Sequence, residues 1–205
     1  MKNKPNHVPF VSKAKVEYKL SRFPKSRLVS VMSNDTIQEK IEGIAKNIEA
    51  YISEKTNTQV FETVTYVGMF DGCIMFFADL LRHQDRDVRI SPIIYKSYVN
   101  NKQTETPNII ADLTALQKSK IIVVCDTICD TGSTLQTITS MIKDSCPNAI
   151  VLTAVLLHKR HSKFTPDFIG RIIPNNWFVV GYGMDDRGLR RTFPSIFRIA
   201  EENEQ

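Results

Sequence analysis

No run of about 18 apolar residues occurs in the 205-residue sequence, so no helix of the length needed to span a bilayer is encoded. Residues 1–9 carry no apolar stretch of the secretory-signal kind, and a cytosolic location is expected. The four cysteines (Cys73, Cys125, Cys129 and Cys146) form no C-x-x-C and no zinc-type spacing. They read as reduced thiols in apolar surroundings. No internal repeat is visible, which excludes a repeat array, and no low-complexity segment breaks the chain.

The residues present describe an ordinary globular chain. A hydrophobic share of 42% is enough for one sizeable core, and one domain is expected. The net charge is +5, much of it from lysines and arginines between Lys2 and Arg27. That basic arm, taken as residues 1–34, reads as a solvated extension or subunit contact in preference to a nucleic-acid site. A positive balance also suits an enzyme whose substrate carries several phosphates.

Hydrophobic periodicity supplies the architecture. Ile37, Ile41, Ile44, Ile48 and Ile52 recur every three to four residues, predicting a helix from Asp35 to about Lys55, with Asp35 and Gln38 at capping-box spacing. Residues 60–69 predict a strand, Gly72 a tight turn, and residues 73–81 a compact apolar helix. Residues 88–99 read as a second strand, and the polar stretch 100–107 as a mobile loop. The wholly apolar run 121–125 predicts a strand covered on both faces, and Leu135, Ile138 and Ile142 mark a helix over 133–145. Residues 149–157 repeat the buried-strand pattern. Alternating strands and helices predict an α/β fold, a parallel sheet with helices on both sides.

The chemistry concentrates in Ile121-Ile-Val-Val-Cys-Asp-Thr-Ile-Cys-Asp-Thr-Gly-Ser-Thr-Leu135, where a buried strand emits two acids and turns through small residues into a helix. Backbone N–H groups of residues 131–134 and the hydroxyls of Thr131, Ser133 and Thr134 can converge on one phosphate. Gly132 permits the close approach. Helix capping by Asp130 or Thr131 would account for one of these residues, but not for five in succession. A nucleotide P-loop would need a lysine after its glycine, and none is there.

This segment closely resembles the phosphoribosyl pyrophosphate motif of type I phosphoribosyltransferases, and the rest of the chain resembles their hypoxanthine-guanine branch. Supporting segments follow in order: Phe76-Phe-Ala-Asp-Leu-Leu81, Lys96-Ser-Tyr98, Leu156-Leu-His-Lys-Arg160, Pro166-Asp-Phe-Ile-Gly170 and Phe178-Val-Val-Gly-Tyr-Gly-Met-Asp185. The resemblance spans about residues 35–199. It implies a domain over residues 35–205, with a small hood formed by the N-terminal part and residues 165–205. It also implies a homodimer or homotetramer, a Mg²⁺ cofactor, and phosphoribosyl pyrophosphate and a purine base as substrates.

The implied roles attach residue by residue. Asp130 matches the acid beside purine N7, Lys159 the lysine that donates to the C6 oxygen, and Arg191 the arginine on pyrophosphate. Phe178 matches the aromatic that stacks on the base, and the backbone of Val179 would read the ring edge. Asp185 matches the aspartate at the metal and pyrophosphate site and borders the base site. Asp126 is the second implied metal carboxylate. Ser97 and Tyr98 match a pair on a flexible loop that closes over the site.

Two positions depart from the pattern. The acidic pair that normally holds the ribose hydroxyls is Asp126-Thr127 here, so one carboxylate is missing; ribose or metal contacts are expected to be weaker, although the Thr127 hydroxyl can still hydrogen-bond. The turn that usually reads Lys-Gly or Arg-Gly at the pyrophosphate is Asp71-Gly72, where an acid repels the leaving group unless Mg²⁺ lies between. The family uses this turn largely through its backbone, often with a cis peptide, which Gly72 can preserve. These departures favour a second reading, a sensor of phosphoribosyl pyrophosphate or nucleotides on the same fold. Retained Asp130, Lys159 and Arg191 favour the enzyme, and Lys159 disfavours adenine or pyrimidine. Gly132→Val is expected to weaken nucleotide binding strongly while leaving the fold intact.

Overall fold

The computed structural model describes residues 28–55, 64–99 and 102–200, with the backbone alone over 95–99 and 102–108. Residues 1–27 of the basic arm, the predicted start of a strand at Val60, and Asn100 at the head of the predicted loop lie outside the described residues.

Two sheets divide the chain. The larger contains β2 (Val64–Phe70), β3 (Arg89–Val99), β4 (Lys102–Ile110), β5 (Ile121–Cys129), β6 (Ile150–Lys159) and β7 (Phe168–Ile173), in the order β4-β3-β2-β5-β6-β7. All of its pairings are parallel except β3 with β4. The smaller is antiparallel, in the order β1-β9-β8, from β1 (Leu28–Met32), β8 (Val179–Val180) and β9 (Ile196–Ile199).

The central strands are buried because their sequence leaves no polar face to expose. Ile121, Ile122, Val123, Val124 and Cys125 are all fully buried. From β2 and β5, side by side at the centre, the chain crosses outward in opposite directions: through α2 (Ile74–Arg82) to β3, and through α3 (Ser133–Ser145) to β6. Right-handed crossovers then put α2 and α3 on opposite faces. The gap between the carboxyl ends of β2 and β5 is the topological switch point, the usual crevice for a ligand in an open parallel sheet. α1 (Asn34–Lys55) turns all five predicted isoleucines inward and packs against α2, β6 and β7.

Three sequence-based expectations differ from this structure. The cap of α1 is Ser33, whose Oγ accepts the Thr36 N–H at 3.2 Å. Gln38, freed from any capping box, instead donates to Asp79 Oδ2 at 2.8 Å. The polar stretch 100–107 is mostly strand: antiparallel pairing with β3 satisfies its backbone without apolar anchors, and Ser97 and Tyr98 fall on β3 beside a register shift. The small sheet takes its C-terminal strands from Val179 onward, because β7 joins the large sheet and Gly170 lies against the Leu156 carbonyl of β6.

Asp79 ties these parts together. Its carboxylate accepts from Gln38 of α1, Arg82 of α2 and the Tyr182 hydroxyl just after β8. Burial pushes its pKa up, but the three donors outweigh that and hold it below the ordinary value. Burial, and then the Asp79 charge, push the Tyr182 phenol far up. Asp79→Ala strands two part-buried donors, so urea unfolding should give a loss of about 2–3 kcal/mol, with Tyr182→Phe costing less.

Candidate active site

The end of β5 is where an apolar strand first turns polar. Asp126 is partly buried there, and it accepts the Thr127 N–H at 2.7 Å. Burial pushes its pKa up to about 7 against the pull of the Thr127 and Ile128 amides. With Asp130, Thr131, Gly132 and Thr134 it lines a small cleft of about 70 Å³ whose lining is mostly polar.

Gly132 has two reasons to be glycine. Its φ is +88°, and an added Cβ would fall 2.4 Å from Phe164 Cβ and 2.9 Å from Phe164 N. The loop is braced against that segment: Lys163 N–H donates to the Thr131 carbonyl at 3.2 Å, and Cys129 Sγ lies 3.2 Å from Ser162 Oγ. The expectation that Gly132→Val leaves the fold intact therefore fails, since valine would push the brace from the loop. Thr131 Oγ1 and Ser133 Oγ are 3.1 Å apart, and α3 begins with the Gln136 N–H donating to the Gly132 carbonyl. Loop amides and hydroxyls are thus gathered at a helix N-terminus beside the cleft.

Asp130 stands half-exposed beyond β5. Lys159, buried at the end of β6, donates Nζ to its Oδ2 at 2.8 Å. On the other side, His161 Nε2 lies 3.2 Å from Asp130 Oδ1. Sequence reasoning missed His161, which sits just past the Leu156-to-Arg160 motif and has no periodic or spacing signal. The Asp167 of the next motif is structural, accepting the Thr153 N–H and hydroxyl at 2.8 and 2.7 Å.

Across the switch point lies the turn at Asp71 and Gly72. The Phe70–Asp71 peptide is cis, and the Asp71 side chain is exposed. Thr127 is fully buried, and its hydroxyl donates to the Gly72 carbonyl at 2.9 Å. The Thr127 hydroxyl is therefore spent within the protein, because an unpaired carbonyl at that depth would be costly.

The segment after β8 closes the other wall. Gly183, at φ +94°, packs its Cα against Gly72, where an added Cβ would fall 2.2 Å from the Gly72 carbonyl oxygen. Arg191 donates to the Gly183 carbonyl at 2.7 Å and pairs with Asp185 Oδ1 at 2.9 Å, while the other Asp185 oxygen accepts the Gly188 N–H at 2.7 Å. A Cβ on Gly72 would meet Arg191 at 3.8 Å, so Asp71, Gly72, Asp185 and Arg191 share one neighbourhood. Phe178 is 54% exposed and offers a free aromatic face, whereas Val179 is buried in β8. Trp177, given no role by the sequence, packs on the core with the Arg198 guanidinium 5.3 Å over its ring. For Ser97 and Tyr98, only the backbone on β3 is described.

Among the described residues, no three His, Cys, Asp or Glu side chains converge as a metal cage. A Mg²⁺ that keeps waters and substrate phosphates as most of its ligands needs only one or two carboxylates. Asp126 in the cleft and Asp185 beside Arg191 are each a single carboxylate of the kind such an ion uses.

Residues 34–187 match the family described as "Phosphoribosyl transferase domain", and the chain belongs to that family. Its relatives place it in the hypoxanthine-guanine branch, among transferases of purine salvage. Hypoxanthine-guanine phosphoribosyltransferase of Staphylococcus epidermidis is 30% identical over 168 residues, covering 80% of this chain and 92% of the relative. The enzyme of the same name from Aquifex aeolicus is 29% identical, covering 85% and 96%. Among solved structures, a Bacillus anthracis hypoxanthine-guanine phosphoribosyltransferase with HEPES in its active site superposes with a TM-score of 0.71. It is 28% identical and covers 85% of this chain and 99% of its own. A Trypanosoma cruzi hypoxanthine phosphoribosyltransferase mutant complexed with the product IMP gives 0.74 at 25% identity, covering 88% and 95%.

Asp126 makes a pH-dependent contribution of definite sign. With its folded pKa above the unfolded value, the folded chain holds a proton that the unfolded chain has lost, so stability falls as pH rises through about 4 to 7. Asp126→Asn mimics the protonated acid. Its melting temperature relative to the parent should climb across that window and level off above about pH 8. A difference independent of pH would remove this account of Asp126.

Proposed function

We propose that the chain transfers the 5-phosphoribosyl group of phosphoribosyl pyrophosphate to N9 of a 6-oxopurine, hypoxanthine or guanine, giving IMP or GMP and pyrophosphate. The observation that carries this reading is the Lys159–Asp130 pair at the cleft, a buried cationic donor and a half-exposed acid at one point beside an anion cradle. The 131–134 loop holds the 5′-phosphate, and Asp126, in its ionised form, accepts from ribose hydroxyls. Lys159 donates to the C6 oxygen, which a 6-amino base cannot accept. Asp130 takes or shares the N7 proton as N9 attacks the anomeric carbon. Phe178 supports the ring, and Arg191 holds the departing pyrophosphate. Asp185 and Asp126 would hold Mg²⁺, which would offset the charge of that leaving group. The β3–β4 hairpin, with Ser97 and Tyr98, covers the site and keeps water from the activated sugar.

The same reading includes a second copy of the chain, for which exposed Ile90 and Ile110 on β3 and β4 offer apolar surface. The four free, buried cysteines suit a reducing compartment, and we assign the cytosol.

A product assay with each purine base, phosphoribosyl pyrophosphate and Mg²⁺ tests the reading, and no nucleotide from any base would overturn it. Lys159→Ala should lower kcat/KM for hypoxanthine and guanine by about 1.5–3 kcal/mol of transition-state binding, the worth of a charged hydrogen bond. Asp71→Lys should lower the KM for phosphoribosyl pyrophosphate, most at limiting Mg²⁺, because a cation replaces a repelling acid. An unchanged KM across the Mg²⁺ series would take this side chain out of the pyrophosphate pocket.

A further inference from the structure

The two halves of the site are built differently. The phosphate loop, Asp130 and Lys159 stand at the ends of two paired central strands, whereas the 71–72 turn, Asp185 and Arg191 lie on segments far apart in the chain. A multiply charged leaving group is held well only where such segments are fixed before it arrives. Thr127 is the side chain that joins them to β5. It is fully buried, and its hydroxyl donates to the Gly72 carbonyl at 2.9 Å. Beside it, the buried Cys73 thiol donates to the Cys125 carbonyl at 3.3 Å, so the turn is fastened to β5 at two points.

The same carbonyl is the contact for the opposite wall. A Cβ added to Gly183 would fall 2.2 Å from the Gly72 oxygen, and the Gly183 carbonyl in turn accepts from Arg191 Nη1 at 2.7 Å. One oxygen is thus held by Thr127 and packed on by the glycine that seats Arg191. Among the described residues, no group accepts the N–H of the half-buried Gly72, which leaves that donor for an anion. We infer that Thr127 is a positioning residue for the pyrophosphate half of the substrate: by fixing Gly72, it sets both the turn and the wall that carries Arg191. Valine would fill the same volume without a proton to donate, and the Gly72 carbonyl would lose its partner. The Thr127 N–H serves Asp126 at 2.7 Å, and that backbone group survives any change of side chain, so the ribose contact is left as it is.

The inference rests on the proposed transfer reaction, with Arg191 and the 71–72 turn at the pyrophosphate, and the experiment separates the two claims. KM for phosphoribosyl pyrophosphate and for hypoxanthine is measured for the parent, Thr127→Val, Thr127→Ser and Thr127→Ala. The Kd of inorganic pyrophosphate and of IMP is measured for each by calorimetry in Mg²⁺. Thr127→Val should raise the KM for phosphoribosyl pyrophosphate and the Kd of pyrophosphate about fivefold, the worth of one neutral hydrogen bond. The KM for hypoxanthine and the Kd of IMP, which has no pyrophosphate, should hold. Thr127→Ser keeps the donor and should recover most of the loss. A residue that served stability alone would lower the Tm without separating the two halves of the site. Should Thr127→Val fail to fold, Thr127→Ala and Thr127→Ser differ by the hydroxyl alone and carry the comparison. With an active parent, pyrophosphate affinity independent of the hydroxyl, or equal losses for pyrophosphate and IMP, overturns the role of Thr127 alone. No product from the parent, with pyrophosphate still bound and weakened by Thr127→Val, overturns the transfer reaction and supports the positioning role. A parent that binds no pyrophosphate overturns both.

Discussion

The constraint on which the molecule turns is that β5 is covered on both faces. A strand between β2 and β6, with α2 and α3 on opposite sides, tolerates no polar side chain along its first five residues, and all five are fully buried. Its polar chemistry is therefore pushed to the carboxyl end, where Asp126 already feels the core strongly enough to have its pKa raised. Four residues further on, Asp130 escapes into solvent and meets Lys159, which β6 brings to the same end by parallel pairing. Register places the two groups together: Cys129 pairs with His158, so the residues that follow each diverge from one point.

The walls of the site are held by backbone contacts too close for any side chain. Gly132 lies against Phe164 on one side of the switch point, and Gly183 against Gly72 on the other. Side-chain entropy is not involved in either contact, so each fixes a turn more rigidly than a contact between flexible groups would. The segment after β8 is further set by left-handed backbone at Gly181, Tyr182, Gly183 and Arg190, which lets Arg191 point back at Asp185 and the Gly72 turn. Asp79 anchors this segment to α2 and α1 through Tyr182. Small sheet, turn and central sheet thus form one connected support.

What the sequence made legible is what local periodicity encodes. The isoleucine stripe of α1, the apolar run of β5 and the boundaries of α3 were readable because each repeats a signal several times over. Single-contact features were not. The cap of α1 lies one residue ahead of the helix, at Ser33, because Gln38 is drawn to Asp79, a partner 41 residues away that no local pattern announces. The 102–108 stretch holds no apolar anchor, and its order comes from pairing with β3, a tertiary effect. His161 reaches Asp130 only because the turn after β6 folds it back. In the candidate site, the phosphate loop was legible as a cluster of small residues, while the orientation of Thr127 needed the three-dimensional neighbour.

That orientation joins the two departures from the family pattern into one feature. Thr127 and the 71–72 turn are 55 residues apart in sequence, yet the Thr127 hydroxyl donates to the Gly72 carbonyl at 2.9 Å. An ionised carboxylate at 127 has no proton to donate, so it would face that carbonyl with repulsion; threonine supplies the missing donor and packs fully buried. The hydrogen bond pins the turn carrying Asp71 and leaves that acid exposed at the mouth of the site. At 127 a second carboxylate beside Asp126 would raise an already elevated pKa further, whereas at 71 the acid is exposed and water and cations screen it. A single hydrogen bond links the two positions, and an acid restored at 127 would have to be read together with the turn it disturbs.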